Sequence, residues 1–127
     1  MAVFRSGQWI IQYSSTGQVV YVTFGLSTDT LVPADYDGDR KTDIAIFRNV
    51  VWYILYSSSK QVRIQQSGLS TDIPVPADYE GSGKANIAVF RGGIWYILFA
   101  SGSSMTQANF GLSGDMPVES AHIGLPN

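Results

Sequence analysis

Several sets of positions 43 residues apart in this chain carry the same residue. Trp9, Trp52 and Trp95 are one such set, and Gly25, Gly68 and Gly111 another; Asp29, Asp72 and Asp115 and Arg5, Arg48 and Arg91 follow suit. A fixed period of this size, carried by strand-forming residues, is the signature of a propeller or a solenoid. In such folds a unit buries its apolar faces mainly against its neighbours. Three periods account for essentially the whole of the 127 residues.

Each period contains four short strand candidates, here lettered A to D, separated by turn residues. In the second period strand A runs near Leu31 to Tyr36, B over Ile44 to Arg48, C over Val51 to Ser57 and D over Gln61 to Gln66. The third period repeats the pattern with VPADY, IAVFR, IWYILFA and MTQANF. β-branched and aromatic residues fill the strands, and Gly, Ser, Asp and Pro fill the turns. Strand C puts Trp52, Ile54 and Tyr56 on one face and Tyr53 and Leu55 on the other, so both faces are apolar. A sheet of that kind needs neighbours on both sides. Strand D alternates Gln61, Arg63 and Gln65 with Val62 and Ile64, as an edge strand does.

The phase of the repeat carries further. The chain opens on a strand B (residues 2–5) and closes on a strand A (residues 117–122). The expected organisation is one all-β propeller unit over 1–127. Residues 1–30 form strands B, C and D of the first blade, 31–73 the second blade and 74–116 the third, and 117–127 supply a strand A that completes a blade of a partner chain. Propellers have about four to eight blades, and three turn too sharply to close alone. A six-bladed homodimer with swapped terminal strands is the first expectation. A nine-bladed trimer is the second and a fragment of a longer propeller the third.

Composition narrows the function. Hydrophobic residues are 45% and charged residues 14%, enough for a core and too ordered a mixture for disorder. Net charge is −2 with the basic residues scattered, which argues against nucleic acid. Cysteine is absent, so disulfides and thiolate metal sites are excluded. Apolar runs are far shorter than the roughly 20 residues a membrane helix needs, and the start, MAVFRSGQWI, reads as part of a repeat and not as a signal peptide.

The local charge is acidic. Asp35, Asp37, Asp39 and Asp43 fall within nine residues, at alternating positions of the turn between strands A and B. Ca²⁺ takes six to eight oxygens, and a tight loop supplies alternate side chains and a backbone carbonyl, here that of Lys41. Four carboxylates this close repel one another without a cation.

The run VPADYDGDRKTDIAIFR, with FGLSTD before it and WYILYSSS after it, resembles the FG-GAP or VCBS-type repeat of integrin-α-like and lectin-like propellers. The resemblance implies four-stranded blades, Ca²⁺ in the A–B loops and an extracellular or cell-surface setting. The implied ligands are Asp35, Asp37, Asp39, the Lys41 carbonyl and Asp43. Arg40 stands where the family pattern has a second glycine. The second loop offers Asp78, Glu80, Ser82, the Lys84 carbonyl and Asn86, with two carboxylates only, so its site is the weaker. In the third loop Ala121, Ile123 and Leu125 replace the first three ligands, and no site is expected there.

The repeated tryptophans open each strand C and read as packing residues in preference to sugar platforms. The repeated arginines read as partners of a repeated aspartate or of carbonyls in the next blade. His122, the one histidine, stands where Tyr36 and Tyr79 stand in the other periods, and reads as a packing substitute. No nucleophile, base or redox group is constellated, so the chain is not expected to be an enzyme. The sequence reads as a non-catalytic binding module, lectin-like, with a glycan or protein ligand and no membrane insertion. The alternative is an engineered, ancestral or excised three-blade unit whose main property is self-assembly.

Overall fold

The computed structural model describes residues 1–99 and 104–118. Most of the expected terminal strand A lies outside them, as do Ala121, His122, Ile123 and Leu125. The fold is all-β. Among the described residues there are three antiparallel sheets and no helix, hence none long and apolar enough to cross a membrane. Two compact units are present, Met1–Thr30 and Leu31–Asn127.

The first unit is a three-stranded sheet, β1 (Ala2–Arg5), β2 (Gln8–Gln12) and β3 (Val19–Thr23), in the order β1-β2-β3. The second sheet has the order β4-β5-β6-β7, from β4 (Thr30–Leu31), β5 (Ile44–Arg48), β6 (Val51–Leu55) and β7 (Val62–Gln66). The third has β8 (Ile73–Pro74), β9 (Ile87–Arg91), β10 (Ile94–Leu98) and β11 (Met105–Asn109) side by side in chain order. The register repeats with the sequence, since Phe4↔Trp9, Phe47↔Trp52 and Phe90↔Trp95 are paired positions.

Turn chemistry sets that register. Ser6–Gly7, Asn49–Val50 and Gly92–Gly93 each have two consecutive positive φ angles, the signature of a two-residue type I′ hairpin. At Gly7 and Gly93 an added Cβ would lie 2.7 and 2.6 Å from the carbonyl oxygens of Gly25 and Gly111. Val50, at φ 65, holds the same place with a β-branched side chain.

Strand A is shorter than its expected span of Leu31 to Tyr36. After β4, the Val32 amide donates to the Ala45 carbonyl (3.0 Å), and pairing resumes only at the isolated bridge Ala34↔Asp43. Pro33 has no amide to donate between them. Pro76 acts alike between Val75, whose amide donates to Ala88 (2.8 Å), and the bridge Ala77↔Asn86.

The main core lies between the second and third sheets. Val32, Ala45, Phe47, Trp52 and Ile54 pack with Ile87, Val89 and Leu98. Trp52 and Ile54 have no exposed surface, and Tyr53 and Leu55 on the opposite face are half-buried. A smaller cluster, Val75, Ala88, Phe90 and Ile97 with Trp95 against it, lies on the other face of the third sheet. In β7 the faces are distributed unexpectedly. Val62 and Ile64 are exposed, while Arg63 and Gln65 are half-buried and hydrogen-bonded to each other. An edge strand shields its long polar stems as readily as its aliphatic ones.

Candidate metal centre and repeated polar contacts

The loop between β4 and β5 is pinched at its base, where the Asp43 amide donates to the Ala34 carbonyl (2.8 Å). Within it, Asp35, Asp37 and Asp39 each offer a carboxylate oxygen, and these oxygens lie within 4.8 Å of one another. Backbone amides orient them. Gly38 and Arg40 donate to the two oxygens of Asp35 (2.7 and 2.8 Å), Asp39 donates to Asp37 (3.2 Å) and Lys41 to Asp39 (2.9 Å). The Ser58 hydroxyl donates to Asp37 (2.9 Å). Burial pushes the Asp37 carboxyl up, but the hydrogen bonds from Ser58 and the Asp39 amide outweigh it and hold the group below the usual carboxylate range. Arg40 adopts φ 70, as Gly83 adopts φ 88 at the same place in the next loop, so the backbone takes its left-handed turn without the glycine.

Asp43 stands apart from this cluster. Its residue is fully buried, and its two oxygens accept from the Tyr36 amide (2.8 Å) and the Ser57 amide (2.9 Å). Burial pushes its carboxyl up against the pull of those amides. Asp43 therefore ties the start of the loop to the end of β6. Its counterpart Asn86 accepts from the Tyr79 amide (2.9 Å) and donates to the Leu98 carbonyl (3.0 Å) and to Glu80. The staple recurs in two chemistries, and the change from Asp43 to Asn86 preserves it.

The second loop gathers no comparable cluster among the described residues. Asp78 accepts from the Ser82 and Gly83 amides (3.0 and 2.8 Å), Glu80 is engaged with Asn86, and the Ser82 hydroxyl faces Lys84 of its own loop. Burial pushes the Asp78 carboxyl up, but the amides of Gly83 and Ser82 outweigh it and bring the group below the usual range. The two loops touch, since the Ala85 amide donates to the Asp35 carbonyl (2.7 Å).

Other repeated residues serve the sheets. The indole N–H of Trp9, Trp52 and Trp95 donates to the carbonyls of Phe24, Ser67 and Phe110 (2.9, 3.2 and 3.0 Å). Tyr36 and Tyr79 donate their hydroxyls to Val32 and Val75 (2.6 and 2.7 Å), and burial, with Asp43 adding to it, pushes the Tyr36 hydroxyl far up. Asp29, Asp72 and Asp115 each accept from an amide three residues earlier (2.7, 2.7 and 2.8 Å). Asp72 also takes both arms of the Arg91 guanidinium, each at 2.7 Å, so an aspartate ahead of one strand A pairs with the arginine that ends the following strand B. The pairing is invisible to a scan for local motifs, because 19 residues separate the partners. Arg91 and Arg48 also lie over the rings of Tyr96 and Tyr53.

No family model, curated protein or solved structure matches the chain.

Proposed function

We propose that the chain is a non-catalytic β-propeller binding module, lectin-like in character and extracellular or surface-displayed, with a structural Ca²⁺ in its first A–B loop. The observation that carries the metal reading is the convergence of Asp35, Asp37 and Asp39 within 4.8 Å. Three hard oxygen donors on one tight loop suit Ca²⁺, with the Lys41 carbonyl and waters filling the remaining positions. The ion would offset the mutual repulsion of the carboxylates and brace the A–B connection. Asp43 acts there as the staple beneath the ion, and the second loop is the weaker binder. Three antiparallel sheets, of which the second and third carry a short strand A beside strand B, support the blade reading. Two copies of a three-blade chain would give the six-bladed ring that a glycan or protein ligand would meet.

Calorimetric titration with Ca²⁺ and a glycan array with and without chelator test this. At about 100 times its Kd the ion would stabilise the fold by roughly 2.7 kcal/mol, and the Asp37→Asn/Asp39→Asn variant would show neither heat nor stabilisation. No Ca²⁺ effect up to about 10 mM, well past the weak extracellular range, overturns the metal reading. Silence on a broad array overturns the lectin reading.

A further inference from the structure

We propose that residues 115–118 of one chain clasp the free edge of β1 in a second copy, with Asp115 pairing to the partner's Arg5. The inference rests on the two-copy ring above and adds the residues that would join it.

The template lies inside the chain. Asp72 precedes β8 and grips Arg91 at the end of β9, while the Val75 amide donates to the Ala88 carbonyl. One period later come Asp115, Met116, Pro117 and Val118. Asp115 makes the same turn, accepting from the Leu112 amide (2.8 Å), but among the described residues no arginine reaches it. Val118 is 49% exposed, whereas Val32 and Val75 at the same position are 3% and 1% exposed. This segment has the form of a strand A, and among the described residues no strand B pairs with it.

The matching strand B, β1, has no strand A beside it among the described residues. Ala2, Phe4 and Arg5 of β1 stand two periods before Ala88, Phe90 and Arg91. Among the described residues β1 is the outermost strand of its sheet, where the other two sheets carry β4 or β8. Arg5 is exposed and makes no ion pair among the described residues. Docking would place the Val118 amide against the partner's Ala2 carbonyl and give Asp115 its arginine, an edge addition of the kind β-strand ligands make.

The apolar faces agree. Phe47, Trp52 and Ile54 of the second sheet are covered by Ile87, Val89 and Leu98 of the third. On the third sheet the equivalent face has a half-buried Trp95 beside a hollow of about 250 Å³ bounded by Phe110 and Val118. On the first sheet, Met1 and Val3 occupy the places of Ile87 and Val89 and are 87% and 55% exposed, against 2% and 1%. Each chain thus offers one half of the contact at each face, and a two-fold axis makes two identical clasps.

Charge exchange tests the clasp. Wild-type chain should have twice the 13.8 kDa chain mass by light scattering or native mass spectrometry. Arg5→Asp alone and Asp115→Arg alone should each weaken self-association at least about tenfold, because each sets like charges face to face. Mixed, the two variants should form a one-to-one heterodimer, since one junction is then native and the other reversed. A three-copy ring always keeps one mismatched junction and would not be rescued. If Asp115→Arg does not fold, Asp115→Asn keeps the turn and should also weaken association. A wild-type dimer indifferent to these charges, or a mixture that stays monomeric, overturns the clasp and leaves the ring standing. A monomeric wild type at about 100 μM, where a micromolar interface would be saturated, overturns both.

Discussion

Replacing Arg91 with Met should destabilise the Leu31–Asn127 unit by about 2–3 kcal/mol. The replacement keeps an aliphatic stem and removes both bonds to Asp72. The Asp72 side chain is fully buried and that of Arg91 is 38% exposed. Breaking a fully buried pair costs about 3–5 kcal/mol, and an exposed pair is worth about 0–1; this pair falls between because solvent reaches the guanidinium but not the carboxylate. Asp72 would keep only the Leu69 amide. Urea unfolding followed by tryptophan fluorescence reads the change as a midpoint shift of roughly 1 M, given a slope near 2 kcal/mol/M. Asp72→Asn keeps the acceptor for Leu69, and the double variant should reveal a coupling of about 1–2 kcal/mol. The pH profile gives an independent check. Burial pushes the Asp72 carboxyl up, but Arg91 and the Leu69 amide prevail and hold it below the usual range. A carboxyl lowered in the folded state stabilises above its unfolded value of about 3.9 and loses that contribution as pH falls through the folded value. The wild-type and Arg91→Met stabilities should therefore converge in acid below about pH 4. A midpoint shift under about 0.3 M, or additive effects in the double variant, would refute the pair as a tie between successive repeats.

Two further outcomes are expected. Val50→Gly should stabilise by about 0.5–1 kcal/mol, because relief of a left-handed β-branched residue exceeds the added freedom of the unfolded chain; Gly93→Ala, whose Cβ would meet the Gly111 carbonyl at 2.6 Å, should do the opposite, and thermal melts showing the reverse order would count against the hairpin geometry. Asp43→Ala should cost about 2–4 kcal/mol in chelator, since it strips one buried and one half-buried amide of their acceptor, while Asp43→Asn should cost less because Asn86 performs the same task; an unchanged melting temperature for the alanine variant in chelator would show that Asp43 is no staple.

Much of the fold was legible because it is local. Strand B emerged with its observed ends, Ile44 and Arg48, since a run of β-branched and aromatic residues between an acidic turn and a two-residue hairpin leaves little choice. Strand A was overextended because the apolar pattern continues through Val32 and Ala34, while Pro33 interrupts the pairing. The cluster of Asp35, Asp37 and Asp39 was readable from its alternation. Asp43 was readable as part of the loop but not as its buried staple, because depth is a property of what packs over a residue.

The sequence by itself determined the all-β class, the period, the strand-and-turn grammar and the three carboxylates of the loop, since each depends on residues within a few positions of one another. Only the tertiary structure decided that Asp72 grips Arg91, that Asp43 faces inward, and that Val118, Met1 and Val3 stand exposed where Val75, Ile87 and Val89 are covered. Equivalent positions of the repeat met different surroundings. Burial and ion pairing are set by neighbours brought together across the chain, and a repeat at an open edge lacks the neighbour that its copies possess.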